Sequence, residues 1–413
     1  MNKLIFVTAQ YPYGSGETFI ENEIHYLSKA FDEVHIYAVK VNASLNLAMR
    51  SVPRNVSVFM SDYKGVSGTS YFKSLLKPRV LKEIACNGLD KRFLKKIAAC
   101  SFFEREVQNS TARVKNFLDV SNLSVSDEIV VYSYWLSTIG MSAVRMNEIL
   151  LQKGITTKLV TRTHGFDLYQ ERAYLYYQPF QKTMLERFDL IFPCSKQGKE
   201  YLCEKYSEFS SKIHHAYLGV EDHFTGVFPK KGSERFNIVS CSNIILLKRV
   251  DRIAKALSQI DEIKINWTHF GDGDLMDDLK AEIANLPQNI TVELPGRVPN
   301  SEIYQYYNDN NVNLFINVSE SEGLPVSIME AISFGIPVIA TDVGGTSEIV
   351  IEGVNGRLLP ETFEINELAE KIREIISLSD AEYETLSHNA RRIYEDKFSA
   401  EKNYTDFCKE LLS

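Results

Sequence analysis

Two acids eight residues apart, Glu322 and Glu330, carry the clearest chemical signal in the chain. They lie in the stretch 312–350, VNLFINVSESEGLPVSIMEAISFGIPVIATDVGGTSEIV. VNLFINV is a short apolar, β-branched run of strand length. Ser319, Ser321 and Gly323 mark a turn after it. From Pro325 the pattern VSIMEAISF is helical, with Pro and Ser suited to a first turn. Glu322 therefore falls on a loop at the carboxyl end of a strand, and Glu330 about one turn into a helix. Open α/β sheets bind ligands just outside the carboxyl ends of their strands. The amides of Gly323, Leu324 and the residues after Pro325, Val326 first, would form a positive helix start suited to a phosphate. Carboxylates beside a phosphate site would accept hydrogen bonds from sugar hydroxyls. The plain alternative is that Glu322 is a helix-start charge and Glu330 a solvated face residue. Spacing alone leaves both readings open.

Other strand ends carry chemistry of their own. KLIFVTA reads as a first strand, YPYGSGE as a glycine loop with Gly14, Gly16 and Glu17, and Thr18-Phe-Ile-Glu21 as a capping box that starts a helix. A glycine loop feeding a helix suits a dinucleotide phosphate. The G-x-G-x-x-G pattern is absent, however, and the second strand, VHIYAVK, ends in Lys40 rather than an acid, which argues against a nicotinamide cofactor. In KLVTRTHGFDLY (158–169) the strand end carries His164 and, three residues on, Asp167. A histidine followed by glycine there points toward the ligand end of the sheet; the bland alternative is a histidine bonded to its own loop. Ser195, in FDLIFPCSKQGKEYL, reads equally as a cleft residue or a plain N-cap. Lys248 follows the strand RFNIVSC and offers a mobile point charge for phosphate, although by itself it would read as a solvated helix-start lysine. Asp272-Gly-Asp274 formally matches a D-x-D metal motif. That pattern is common by chance and here occupies a glycine turn after a strand, so no metal site is assigned.

Positioning these groups takes alternating strands and helices. Strand, helix, strand at the spacing of 312–350 is a parallel βαβ unit, and the same alternation runs through both halves of the chain. A chain of 413 residues is too long for one core and suits two α/β domains. FTGVFPKKGSER, rich in Gly, Pro and charge, suits a linker at 225–235. It divides an N-terminal domain, 1–224, from a C-terminal domain, 236–397. An apolar content of 44% with 24% charged residues is that of an ordinary globular protein. The net charge of −8 argues against nucleic acid as the main partner. The six cysteines show neither metal-ligand nor disulfide spacing. No run approaches the ~20 apolar residues of a membrane span, and the N-terminal apolar run is too short for a signal peptide. The expected localisation is cytoplasmic.

The string E-G-L-P-V-S-I-M-E-A-x-x-x-G-x-P-V-x-A-T-x-V-G-G-x-x-E, from Glu322 to Glu348, resembles the signature of retaining glycosyltransferase family 4. The similarity extends over essentially the whole chain, through SGETFIENEI, THGFD and the segment HHAYLGVED. It implies an α/β fold of GT-B architecture: two facing Rossmann-like domains with parallel sheets and an inter-domain cleft, and a C-terminal helix at 398–413 packing back on the first domain. It implies transfer of a hexosyl group from a nucleotide diphosphate sugar to an acceptor hydroxyl, with retention, in cell-surface polysaccharide, lipopolysaccharide or glycoconjugate synthesis. By that resemblance Glu330 binds the ribose, Glu322 faces the donor hexose, and Gly323, Leu324, Pro325 and Val326 meet sugar and pyrophosphate. Lys248 grips the pyrophosphate, the backbone at Arg297 and Val298 holds the base, and Gly16 and Gly271 lie beside the nucleotide. His164 contacts the donor sugar, which makes His164, Glu322 and Lys248 the catalytic set. Gly14, Glu17, Asp167 and Ser195 fall on the acceptor side. The arginine that the family usually has five residues before the lysine is Asn243 here, so the second phosphate contact is in doubt; Arg249 or Arg252 are the candidates to replace it. No cofactor and no metal are implied.

Residues 73–96 hold eight Lys or Arg against two acids. Leu75, Leu76, Val80, Leu81 and Ile84 run beside the charge. Such a segment can lie on the anionic inner membrane surface; the alternative is ordinary helices with solvated basic faces. The partners expected are thus a nucleotide-sugar donor, a glycan or lipid-linked glycan acceptor, and a peripheral membrane contact through 73–96. Two rivals share the fold: a nucleotide-sugar epimerase or hydrolase, and a non-catalytic sugar-nucleotide-binding subunit.

Overall fold

The computed structural model describes the chain except residues 15, 43–46, 62, 64–76, 87–90 and 233 and the side chains of Cys86 and Tyr174. The described chain divides into two units, one of Met1–Tyr217 with Tyr404–Ser413 and one of Leu218–Asn403.

In the first unit β1 (Asn2–Thr8), β2 (Glu33–Ala38), β3 (Val56–Met60), β4 (Glu128–Ser133), β5 (Thr157–Thr163) and β6 (Leu190–Pro193) form one sheet in the order β3-β2-β1-β4-β5-β6. Every pairing is parallel, with Leu4 opposite Val34 on one side and Val130 on the other. Helices cover both faces of such a sheet, so its strands read as continuous apolar runs. Leu4, Ile5, Phe6 and Val7 are fully buried. β3 carries no sequence signal as strong, because its burial falls off toward Met60 at the sheet edge. The helix expected from Thr18 runs instead from Ile20 to Ala30 without a side-chain cap. The capping box fails because Glu21 pairs with Arg50 at 2.6 Å.

In the second unit β7 (Arg235–Cys241), β8 (Lys264–Phe270), β9 (Ile290–Gly296), β10 (Leu314–Asn317), β11 (Val338–Thr341) and β12 (Gly356–Leu359) pair in the order β12-β11-β10-β7-β8-β9. This is the topology of the first sheet repeated. The stretch 225–235 does not stand as a bare connector. Thr225 and Lys230 bond to Asn308 and Asn311, Phe228 stacks on His388, and Asp222 pairs with Arg391 at 2.5 Å. These contacts attach it to the second unit, whose boundary therefore falls at Leu218.

Of the basic stretch 73–96, residues 73–76 and 87–90, with Leu75 and Leu76, lie outside the described residues. The remainder begins two helices, Pro78–Cys86 and Phe93–Thr111. Val80 is buried, while Leu81 and Leu94 are exposed. Lys77 and Arg79 are held by Glu104 and Glu148 of the same unit. Among the described residues no helix is long and apolar enough to cross a membrane.

Candidate functional site

A doubly wound sheet opens where its strand order reverses, because the helices on either side of that point cover opposite faces. In the second unit the reversal lies between β7 and β10. Their following loops bring Lys248 and Glu322 together, Nζ to Oε1 at 2.6 Å. Asn317, the last residue of β10, also donates to Glu322 Oε1 at 3.2 Å. The two loops are fastened by Arg249. Its backbone is left-handed (φ 49°), a costly conformation for a residue with a Cβ. Three carbonyls hold it there: Val318, Ser319 and Glu361 accept from its guanidinium at 2.7–2.9 Å. Arg252 donates to the Phe363 carbonyl and lies over that ring. Both arginines are thus engaged within the fold, and neither is offered as the second phosphate contact. Asn243 receives a hydrogen bond at 3.0 Å from Arg297, which brings an exposed guanidinium to that position from the end of β9.

Glu330 is not a solvated face residue. It is 7% exposed in the helix Val326–Ser333. Its Oε1 accepts from Tyr304 Oη at 2.7 Å and Asn300 Nδ2 at 3.1 Å. Burial pushes its carboxyl up to about 7, opposed by the Tyr304 hydrogen bond. Tyr304 stacks on His223 at 4.5 Å between centroids. Asn300 and Tyr304 were not anticipated; their one signal is a four-residue spacing in NSEIYQYY, which puts both on one helix face. Glycines let the loops close. A Cβ on Gly271 would lie 1.8 Å from the Ser242 carbonyl oxygen, and one on Gly344 1.9 Å from that of Glu322. Gly345 donates to the Gly323 carbonyl at 2.7 Å, so the turn after β11 buttresses the Glu322 loop and Pro325, where the helix begins. Leu324 is buried beneath it, and Val298 follows Arg297 at the neighbouring loop. Asp272 accepts from the Gly273 amide. Among the described residues no group of three or more His, Cys, Asp or Glu side chains is arranged to hold a metal ion.

In the first unit the reversal lies between β1 and β4, and a different partnership occupies it. Glu17, 9% exposed, accepts from the amides of Ala9, Gln10 and Tyr11 at 2.7–3.0 Å and from the Trp135 indole at 2.6 Å. Its carboxylate folds the glycine loop. Arg50 donates to the Gly16 carbonyl at 2.6 Å, and Gly14 takes φ +66° in the same loop. His164 follows β5 with its ring among Phe19, Tyr134 and Trp135, at 5.9, 4.8 and 4.5 Å between centroids. Neither ring nitrogen has a hydrogen-bond partner. Burial, with the Arg162 charge nearby, lowers its pKa to about 3, so the imidazole is neutral. Asp167 is fully buried and accepts from Thr163 Oγ1 and from the amides of His164 and Leu136. It thereby ties the loops after β4 and β5 and fixes the His164 backbone. Ser195 is also buried, and caps the helix Lys196–Lys205 through the Gly198 amide. Trp135 and Arg50 were not singled out from the sequence, because their partners lie 118 and 34 residues away.

The family described as Glycosyl transferases group 1 matches residues 227–393. An uncharacterised glycosyltransferase of Methanocaldococcus jannaschii is 30% identical over 254 residues, 61% of this chain and 68% of that protein. The colanic acid biosynthesis glycosyltransferase WcaL of Escherichia coli is 27% identical over 267 residues, covering 63% of this chain and 64% of WcaL, just under two thirds of its length. HepE of Anabaena, solved with UDP and glucose, superposes with a TM-score of 0.64 at 17% identity, covering 100% of this chain and 99% of HepE. That likeness shows the fold: an α/β protein of GT-B architecture.

Proposed function

The chain belongs to the glycosyl transferases group 1 family, and from that premise we propose that it moves a hexosyl group from a nucleotide diphosphate sugar to an acceptor hydroxyl, retaining anomeric configuration as in family 4. The observation that carries this reading is the pair Lys248–Glu322 at the reversal point of the second sheet, joined by a buried Glu330 held by Asn300 and Tyr304. Lys248 turns from Glu322 to the diphosphate as that charge arrives. Glu322, so released, accepts from hydroxyls of the hexose. Glu330 takes the ribose hydroxyls, and Arg297 beside Asn243 adds a planar guanidinium to the phosphate side. The amides that follow Gly323 complete the anion site.

The bond from the anomeric carbon to the phosphate oxygen breaks as the acceptor oxygen bonds to that carbon on the same face. The acceptor proton passes to the departing phosphate. Stabilising the diphosphate charge is then the protein's main contribution. The resemblance to family 4 assigns His164, neutral within its aromatic cage, to the donor sugar. We assign no resident metal, because lysine, arginine and helix-start amides supply the positive charge.

The matched relatives and HepE support this reading by what they are called and what was bound. WcaL is named for colanic acid biosynthesis, and HepE was solved with UDP and glucose. Cell-surface glycan synthesis in the cytoplasm, with 73–96 resting on the inner membrane surface, is the setting we propose. Moderate salt should release the protein from anionic liposomes; no binding at low salt would remove the membrane from the account. The reaction is tested by incubating the enzyme with a panel of nucleotide sugars and reading the product's anomeric coupling by NMR. Transfer with the donor's configuration, insensitive to EDTA, is expected; an inverted product or release of free sugar alone would overturn it.

A further inference from the structure

The aim of Glu330 depends on a side chain that does not touch it. Its Oε1 accepts from Tyr304 Oη at 2.7 Å, so the acid is turned by wherever the Tyr304 ring stands. Tyr304 lies half-buried on the helix Asn300–Asp309. A half-buried tyrosine has more than one staggered rotamer open to it, and only one that brings its hydroxyl to Glu330 serves the acid. The His223 ring lies against Tyr304 at 4.5 Å between centroids and 19° between planes, and Phe334 flanks Tyr304 at 6.1 Å and 25°. Phe334 is buried, whereas His223 is exposed. An exposed side chain has no core around it, so its place on Tyr304 needs a separate cause.

That cause lies in the segment 222–225, which is fastened at each residue within the second unit. Asp222 accepts from Nη1 and Nη2 of Arg391 at 2.8 and 2.5 Å, a forked pair. Arg391 Nη1 also donates to the carbonyl of Ser333, the last residue of the helix that carries Glu330. The His223 carbonyl accepts from Asn308 Nδ2 at 2.9 Å. Asn308 stands four residues beyond Tyr304, on the same face of their helix. Phe224 lies under Arg391 at 4.9 Å and edge-on to Phe334 at 6.4 Å. The Thr225 hydroxyl donates to Asn308 Oδ1 at 2.9 Å. The backbone is thus tied to the Glu330 helix by Arg391 and to the Tyr304 helix by Asn308, and His223 is the side chain it lays on Tyr304.

We propose that His223 is a positioning residue of the donor site. It holds the Tyr304 ring so that its hydroxyl keeps Glu330 turned to the ribose hydroxyls, and Asp222 with Arg391 holds His223. A plain packing role would weaken every ligand of the unit alike. This role bears on the ribose hydroxyls alone, because Lys248 and the amides after Gly323 stand outside the chain of contacts. The proposal rests on the reading of Glu330 as the ribose acid and adds the residues that aim it.

The test is calorimetric titration of the full chain with UDP, GDP and ADP and with their 2′,3′-dideoxy counterparts, at about pH 8, where the Glu330 carboxyl is ionised. In the wild type the ribonucleotide that binds should do so at least roughly tenfold more tightly than its dideoxy form, the worth of one charged hydrogen bond. His223→Ala should cut that preference about three- to tenfold, the size of a lost stacked pair. Its affinity for the dideoxy form should be unchanged, which also reports that the variant folds. His223→Phe keeps a ring on Tyr304 and should restore the preference. In a Tyr304→Phe background His223→Ala should have no further effect, since the route to Glu330 is already cut. An unchanged preference in His223→Ala, an equal weakening of both nucleotide forms, or full additivity with Tyr304→Phe would overturn the proposal and leave the donor reading standing. A wild type that binds nucleotide without regard to the ribose hydroxyls would overturn the assignment of Glu330 to the ribose, and the proposal with it.

Discussion

The two sheets share one topology, yet their reversal points are furnished in opposite ways. In the second unit the loops after β7 and β10 meet through charge, Lys248 on Glu322. A buried acid lies nearby, and an arginine spends its donors on carbonyls to hold the loops. In the first unit the loops after β1 and β4 meet through an indole and an acid whose oxygens are already taken up by backbone amides. An aromatic cage around a neutral histidine lies beside them. The strands supply the same frame twice; only the loop residues separate an ion pair beside a buried acid from an aromatic cage around a neutral histidine. Fold therefore says little about which ligand goes where, and the loops say most of it.

The division can be broken from either side. Lys248→Ala should lower kcat/KM about a hundredfold and Glu322→Gln at least roughly tenfold, since on the proposed reading each removes a charged hydrogen bond to the donor. Steady-state rates at saturating acceptor decide it, and normal turnover in both would dissolve the assignment. His164→Phe keeps the aromatic stack and removes both nitrogens. It should cost roughly tenfold in kcat with nucleotide affinity intact, and a matching loss of nucleotide binding would blur the two units. Trp135→Phe leaves Glu17 without its indole donor and should destabilise the fold by about 1–3 kcal/mol in denaturant unfolding, again without loss of nucleotide binding.

The smallest effect is in pH dependence, and the two units have opposite signs. Glu330 titrates near 7 when folded against an ordinary 4.5. The native state therefore holds the extra proton between those values, and stability falls as pH rises through that window. Nucleotide diphosphate should bind a few-fold tighter at about pH 8 than at about pH 6, because the ionised carboxylate is the better acceptor. Tyr304→Phe should move that midpoint upward, and Glu330→Gln should flatten it. His164, lowered to about 3 from 6.5, contributes the reverse. The unfolded chain takes up the proton first, so stability falls as pH drops from about 6.5 toward 3. His164→Phe should remove that acid sensitivity in thermal unfolding measured across pH.

Much of the frame was legible because parallel strands covered on both faces appear as unbroken apolar runs, as in KLIFVTA, FNIVSC and PVIAT. The loop position of Glu322 and the helical position of Glu330 followed from turn and helix-start residues around Pro325. What was not legible depends on distance along the chain. Glu17 finds Trp135 118 residues on, and Lys248 finds Glu322 74 residues on. No local pattern announces such pairs. Glu330 looked equally like a surface residue because its burial comes from Asn300 and Tyr304 on another helix. The capping box at Thr18 was misleading for the same reason: Arg50, outside the local pattern, claims Glu21.

The most direct measurement is a calorimetric titration of UDP, GDP and ADP into the wild-type chain, Lys248→Ala, His164→Phe and Trp135→Phe. The account predicts saturable heat from one of these nucleotides in the wild type, lost in Lys248→Ala and preserved in both first-unit variants. Heat preserved in Lys248→Ala and lost in Trp135→Phe would put the nucleotide in the first unit and contradict the account.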